Sequence, residues 1–175
     1  MACLTLSSGR ALPCRKGTGG LKSVYFADFG TLGTVTKSGS EITAISAGDF
    51  YKFDINGSSS LETTINASKD NQSLFYTQTL SLNLLVLDKA TQEQIKILAA
   101  SKSHVAVEDQ NGVFFMIGLL NGAEANGGAI SLGAAMGDAQ SFAITLEAME
   151  VDPPFFVEAS VIPALTSATQ INPNA

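Results

Sequence analysis

The sequence predicts a mainly β protein, an antiparallel β-sandwich or barrel with one packed α-helix and extended N- and C-terminal arms. Three observations carry this. Alternating apolar and polar runs recur between clusters of Gly, Asn, Asp and Ser, which is the period of a half-buried strand. Residues 89–101 break that pattern with good helix formers and neither Gly nor Pro. Strands do not alternate with helices, so the signature of a parallel βαβ sheet is missing.

Residues 1–20 read as an N-terminal arm to a single sandwich domain spanning 1–150. Leu21 to Phe29 is an aromatic, β-favouring run between Gly20 and Gly30. Glu41 to Ser46 and Phe50 to Ile55 follow, the second alternating Tyr51, Phe53 and Ile55 with Lys52 and Asp54. Asn56-Gly57-Ser58-Ser59-Ser60 is a turn signal. Leu61 to Asn66 then sets Leu61, Thr63 and Ile65 on one face, and Lys69-Asp70-Asn71-Gln72 ends the strand.

Between Phe75 and Leu87, Tyr76, Leu80, Leu82, Leu84 and Val86 share one parity, with Gln78 the exception. Thr77, Thr79, Ser81 and Asn83 share the other. A period of two sends these sets to opposite faces, one greasy, one polar and uncharged. Asp88 caps the helix from Lys89 to Ser101, whose apolar stripe is Ile95, Leu98 and Ala99. His104–Glu108 and Val113–Leu119 form a hairpin closed by Asp109-Gln110-Asn111-Gly112. Val113 to Ile117 is apolar on both parities, so this strand is buried on both sides or meets a partner chain. Residues 121–137, rich in Gly, Ala and Asn, read as a loop. Ser141 to Met149 is the last strand, with Phe142, Ile144, Leu146 and Ala148 inward. Pro153, Pro154, Pro163 and Pro173 mark 151–175 as an extended C-terminal tail.

Composition narrows the chemistry. The 175 residues are 45% hydrophobic, enough for a core, and carry a net charge of −6, which disfavours gripping nucleic-acid phosphates. With no Trp, one His and two Cys, the chain is short of material for catalysis, zinc or a disulfide scaffold. Cys3 and Cys14 are read as free thiols. No signal-peptide core or membrane span is read, so no membrane partner is expected and synthesis is assigned to the cytoplasm.

Each candidate site has a blander account. Gly17-Thr18-Gly19-Gly20-Leu21-Lys22-Ser23 lacks the Gly before Lys-Ser and the helix that a phosphate loop needs. His104 has no nucleophile elbow to serve and is read as meeting the last carbonyls of the helix. Asp109-x-Asn111-Gly112 is half a calcium loop and a whole hairpin turn. Glu147 and Glu150 are acidic neighbours without a stronger claim. No catalytic residue, metal or cofactor is therefore expected.

From Leu61 to Glu150 the order of signals resembles the bacteriophage tail tube (major tail) proteins. The likeness runs through Leu61-Glu62-Thr63-Thr64-Ile65-Asn66, the long strand ending Leu84-Leu85-Val86-Leu87, the helix, Val105 to Gly118, the Gly/Ala loop, Gly137-Asp138, and Phe142 to Ala148. Leu12-Pro13-Cys14 and Gly19 to Phe26 look similar to N-terminal segments of related virion proteins.

The resemblance implies a virion structural subunit, made in the host bacterial cytoplasm, that self-assembles into stacked, hexameric rings. It implies partners among itself and other tail proteins, with DNA as non-specific cargo in a central channel. Thr77, Thr79, Ser81 and Asn83, with Glu62, Thr64 and Asn66 as an adjacent strip, are then expected to face that lumen. The same strip would equally suit the solvent face of a monomer. Another tail, neck or baseplate protein of this fold, or a glycan-binding β-sandwich, remains the alternative, the latter disfavoured by the missing Trp and few Tyr.

Overall fold

A computed structural model of the chain describes residues 8–12, 17–55 and 58–167. In chain order the elements are β1 (Leu21–Asp28), β2 (Val35–Ser38), β3 (Glu41–Ile45), β4 (Tyr51–Asp54), β5 (Ser60–Ser68) and β6 (Ser73–Leu85). Then come α1 (Lys89–Ala100), β7 (Ser103–Asp109), β8 (Phe114–Ile117), β9 (Glu124–Ser131), β10 (Ser141–Glu150), β11 (Phe155–Val157) and α2 (Val161–Leu165).

The strands form a seven-stranded sheet, β2-β3-β11-β8-β7-β1-β4, and a four-stranded sheet, β5-β6-β10-β9. The chain is thus a sandwich of two sheets and not a closed barrel. Between the sheets lie Val24, Phe26, Val105, Val107 and Ile117 from the larger, against Leu80, Leu82, Ile144, Leu146 and Ala148 from the smaller. Ile95 and Leu98 of α1 pack on this cluster, as their helical spacing predicts. Asp88 Oδ2 accepts hydrogen bonds from the Ala90 and Thr91 amides, the cap the sequence announced.

The larger sheet also buries its second face. Tyr25, Ala27, Ala106, Phe114 and Met116 form a cluster there with Ile42, Phe50, Val157 and Ile162. That is why Phe114 to Ile117 is apolar on both parities: Met116 serves one core and Ile117 the other. Each fully buried aliphatic side chain contributes about 1.5–3 kcal/mol.

Three segments differ from the sequence expectation. Within 121–137, Glu124–Ser131 is the strand β9, antiparallel to β10. Residues 151–167 do not stand apart from a domain ending at 150, and the remainder of the expected tail, 168–175, lies outside the described residues. Phe155–Val157 is extended, but as β11 it lies between β3 and β8, and α2 seats fully buried Ile162 in the second core. Phe155, Phe156 and Val157 supply the apolar surface that draws this segment in, and Pro163 sits in the short helix after it. The short β2 pairs with β3 and is a further strand.

In the N-terminal arm, Thr18 exchanges two hydrogen bonds with the Asn111 side chain, at 3.1 and 2.9 Å, and the other described residues up to Gly20 are exposed. Cys3, Cys14, Pro173 and most of the arm before Gly17 lie outside the described residues. Among the described residues no helix is long and apolar enough to cross a membrane.

Candidate functional site

Among the described residues, the four-stranded sheet is covered on one face only. Its β6 strand pairs Ser81 with Ser60, Thr79 with Glu62, and Thr77 with Thr64, and Asn66 stands opposite Phe75. Directly paired residues share a face, so Glu62, Thr64, Asn66, Thr77, Thr79 and Ser81 lie on the same side, and Asn83 continues their alternation along β6 but with its Oδ1 buried. Asn66 Nδ2 donates to Thr77 Oγ1 at 2.8 Å across the pair.

Pairing on the other flank of β6 adds residues the sequence alone did not place there. Ala143 stands beside Asn83, Thr145 beside Ser81, Glu147 beside Thr79, and Met149 beside Thr77. From β9, Gly127 meets Thr145 and Glu124 meets Glu147. The face is therefore hydroxyl- and amide-rich with a carboxylate strip of Glu62, Glu147 and Glu124 running across it. Asn126 Nδ2 donates to Glu147 Oε2 at 2.6 Å, and Lys102 Nζ lies 2.6 Å from Glu124 Oε1. The alternation of β10 could have revealed Glu147. β9 could not be found that way, because Gly127-Gly128-Ala129 carries almost no β propensity.

The sheet ends in β5 on one side and β9 on the other. These edges are nine and eight residues long. Beside β9 a groove of about 430 Å³ opens against α1, lined by Ile95, Ala99, Gly128, Ile130, Phe142 and Ile144 among others.

The remaining candidates are structural. Gln78, the odd residue in the apolar parity of β6, is buried; its amide donates to Asp152 O and accepts from the Gly118 amide. Glu150 lies on the covered side and accepts from the Leu120 and Asn121 amides, while Glu147 lies on the open side, so the two carboxylates do not converge. Asp109 Oδ1 accepts from the Asn111 and Val113 amides, which makes Asp109 to Gly112 a capped hairpin turn.

His104 is the second residue of β7, where the strand was expected, but its ring meets loop backbone and not the last carbonyls of the helix. The Gly30 amide donates to Nε2 at 3.1 Å, so Nε2 is the acceptor and Nδ1–H donates to Gly118 O at 2.8 Å. Phe29 stacks on the ring, and burial pushes the imidazole pKa below its usual 6.5. Lys22 Nζ and Tyr25 Oη share the Glu108 carboxylate at 2.6 and 3.0 Å, and burial together with that hydrogen bond raises the Tyr25 phenol to about 12. Among the described residues no group of three or more His, Cys, Asp and Glu side chains is placed to hold a metal ion.

Comparison with known proteins adds no neighbour: no protein-family model, no curated protein and no solved structure matches the chain.

Proposed function

We propose that the chain is a virion structural protein, a phage tail tube subunit whose copies join side by side into rings and stack into a hollow conduit for DNA. One observation carries this reading: a four-stranded antiparallel sheet with one polar, uncovered face and an open edge on each side. Four is an even number of strands, so β5 and β9 run in opposite directions. Rotating a copy about an axis along the strands brings its β5 beside the β9 of its neighbour, antiparallel, and the sheet continues without a break. A closed barrel removes every edge.

The seven-stranded sheet and α1 both lie on the covered face. A ring closed this way keeps that bulk outside and turns Thr77, Thr79, Ser81, Asn83, Glu62, Thr64 and Asn66 to the channel. Double-stranded DNA carries about one negative charge per 1.7 Å of its axis, so a wall rich in hydroxyls and carboxylates, whose Lys102 is paired with Glu124, offers it little to hold. DNA passes as cargo, without sequence recognition, and the protein works in the tail of a particle assembled in a bacterial cytoplasm.

Electron microscopy of the purified protein, with light scattering for its mass in solution, tests the reading. Rings or hollow tubes with a central channel are expected. Protein that stays monomeric at high concentration, including when seeded with fragments of tails from a particle carrying it, would overturn it.

A further inference from the structure

The two open edges of the four-stranded sheet are not level with each other. Along β6, β5 stands opposite Ser73 to Ser81. Carried across β10, β9 stands level with Thr79 to Leu85. Only the band from Thr79 to Ser81 is common to both. Copies joined without stagger would pair that band alone, and would set Glu62 directly opposite Glu124, since both are level with Thr79. Like charges facing each other across a pair are destabilising.

Three constraints select the alternative. An odd shift would turn the polar face of one copy to the apolar side of the next, because strand side chains alternate. A shift of about two residues leaves the end of β9 unpaired. A shift of about four is the smallest at which the whole of Glu124–Ser131 finds a partner on β5. Resting on the tube reading above, we infer that neighbouring copies join in this staggered register, with Ser60 opposite Ser131, Glu62 opposite Ala129, Thr64 opposite Gly127, and Asn66 opposite Glu124.

The register suits both faces of the seam. On the channel side, Asn66 supplies an amide to Glu124, and Glu62 meets a methyl group in place of a second carboxylate. On the covered side, Leu61 meets Ile130, and Ile65 comes level with Ala125 at the groove beside α1. Ile65 and Ile130 are 65% and 59% exposed in the single chain, large apolar side chains that this seam covers. The stagger also has the size a barrel requires. A rise of about 14 Å over a sheet about 19 Å wide tilts the strands by about 35°, at the edge of the range found in closed barrels.

Disulfide trapping in assembled particles tests the register. In a chain carrying Cys3→Ser and Cys14→Ser, Ala129→Cys is combined in turn with Ser60→Cys, Glu62→Cys or Thr64→Cys, all at exposed positions. After mild oxidation, Glu62→Cys with Ala129→Cys should give a ladder of covalent oligomers several-fold stronger than either other pair. A charge exchange gives a second measurement. Ala129→Glu should reduce assembly several-fold, and adding Glu62→Lys should restore it.

A strongest ladder from Ser60→Cys or Thr64→Cys, or no rescue by Glu62→Lys, overturns the register while leaving the tube standing. Tubes with no ladder from any pair overturn β5–β9 joining itself. Failure of the parent chain to form rings or tubes overturns the tube reading and the register with it.

Discussion

The two sheets treat their edges in opposite ways. The larger ends in β2 and β4, each four residues long and each carrying a lysine. Lys37 of β2 lies 4.3 Å from the Phe155 ring, and Lys52 of β4 is 2.8 Å from Asp54. Short, charged edges are how proteins prevent strand addition. The smaller sheet ends in strands twice as long, with Glu62 the only charge on β5 and Glu124 the only charge on β9. On the tube reading proposed above, a chain that guards one sheet and leaves the other open separates folding from assembly. The larger sheet packs a core on each face; the smaller one packs a core on one face and is, in the proposed tube, the sheet that meets a neighbour.

The hardest way to break that division is to end the chain at Val151. This removes β11 from between β3 and β8 together with buried Val157 and Ile162, so cooperative thermal unfolding should vanish in calorimetry. A truncated chain that keeps a sharp transition would show the larger sheet to be less integral than its pairing indicates. Next in size, Leu146→Ala, at a fully buried position between the sheets, should cost about 2–5 kcal/mol in urea unfolding.

Edge substitutions should do the reverse. Ile130→Lys, on exposed β9, should leave monomer stability within about 0.5 kcal/mol of the parent and abolish rings in electron micrographs. Smaller again is a pH effect confined to the larger sheet. The folded His104 binds its proton less readily than the unfolded chain does, so stability is complete above pH 6.5. It then falls as the pH drops below that value, until the lowered pKa of the folded group is reached. Urea midpoints at pH 7.5 and 5.5 should differ for the parent and converge for His104→Gln. The smallest expected effect on stability is from Thr79→Lys or Ser81→Lys, which should assemble normally and slow DNA release from particles; equal release rates would remove these residues from the channel wall.

Much of this division was legible in the sequence, and the illegible part has a physical pattern. Alternation fixed the faces of β6 and β10, because a period of two needs only local residues. The Asp88 cap and the Asp109–Gly112 turn are equally local. The seven polar residues came out on one face for the same reason, although which strands stand beside them, and hence that Glu124 and Glu147 join them, depends on pairing between distant segments. β9 was hidden by its glycines. β11 and α2 were hidden by the surrounding prolines, since three residues pairing with partners far back in the chain leave no periodic signal. His104 stands where expected, at the start of a strand, but its partners could not be read, because Gly30 and Gly118 come from loops that only the fold brings together.

The position of β11 bears on when the protein can become itself. Its two neighbours, β3 and β8, are made long before it, and among the described residues no other strand bridges them. On the ribosome, therefore, the larger sheet remains in two halves until Phe155–Val157 has emerged, at which point β11 locks the halves together and α2 closes the second core. The second core, which takes Val157 and Ile162, is therefore the later of the two to close, while the core behind the smaller sheet takes its buried larger-sheet residues from β1, β7 and β8.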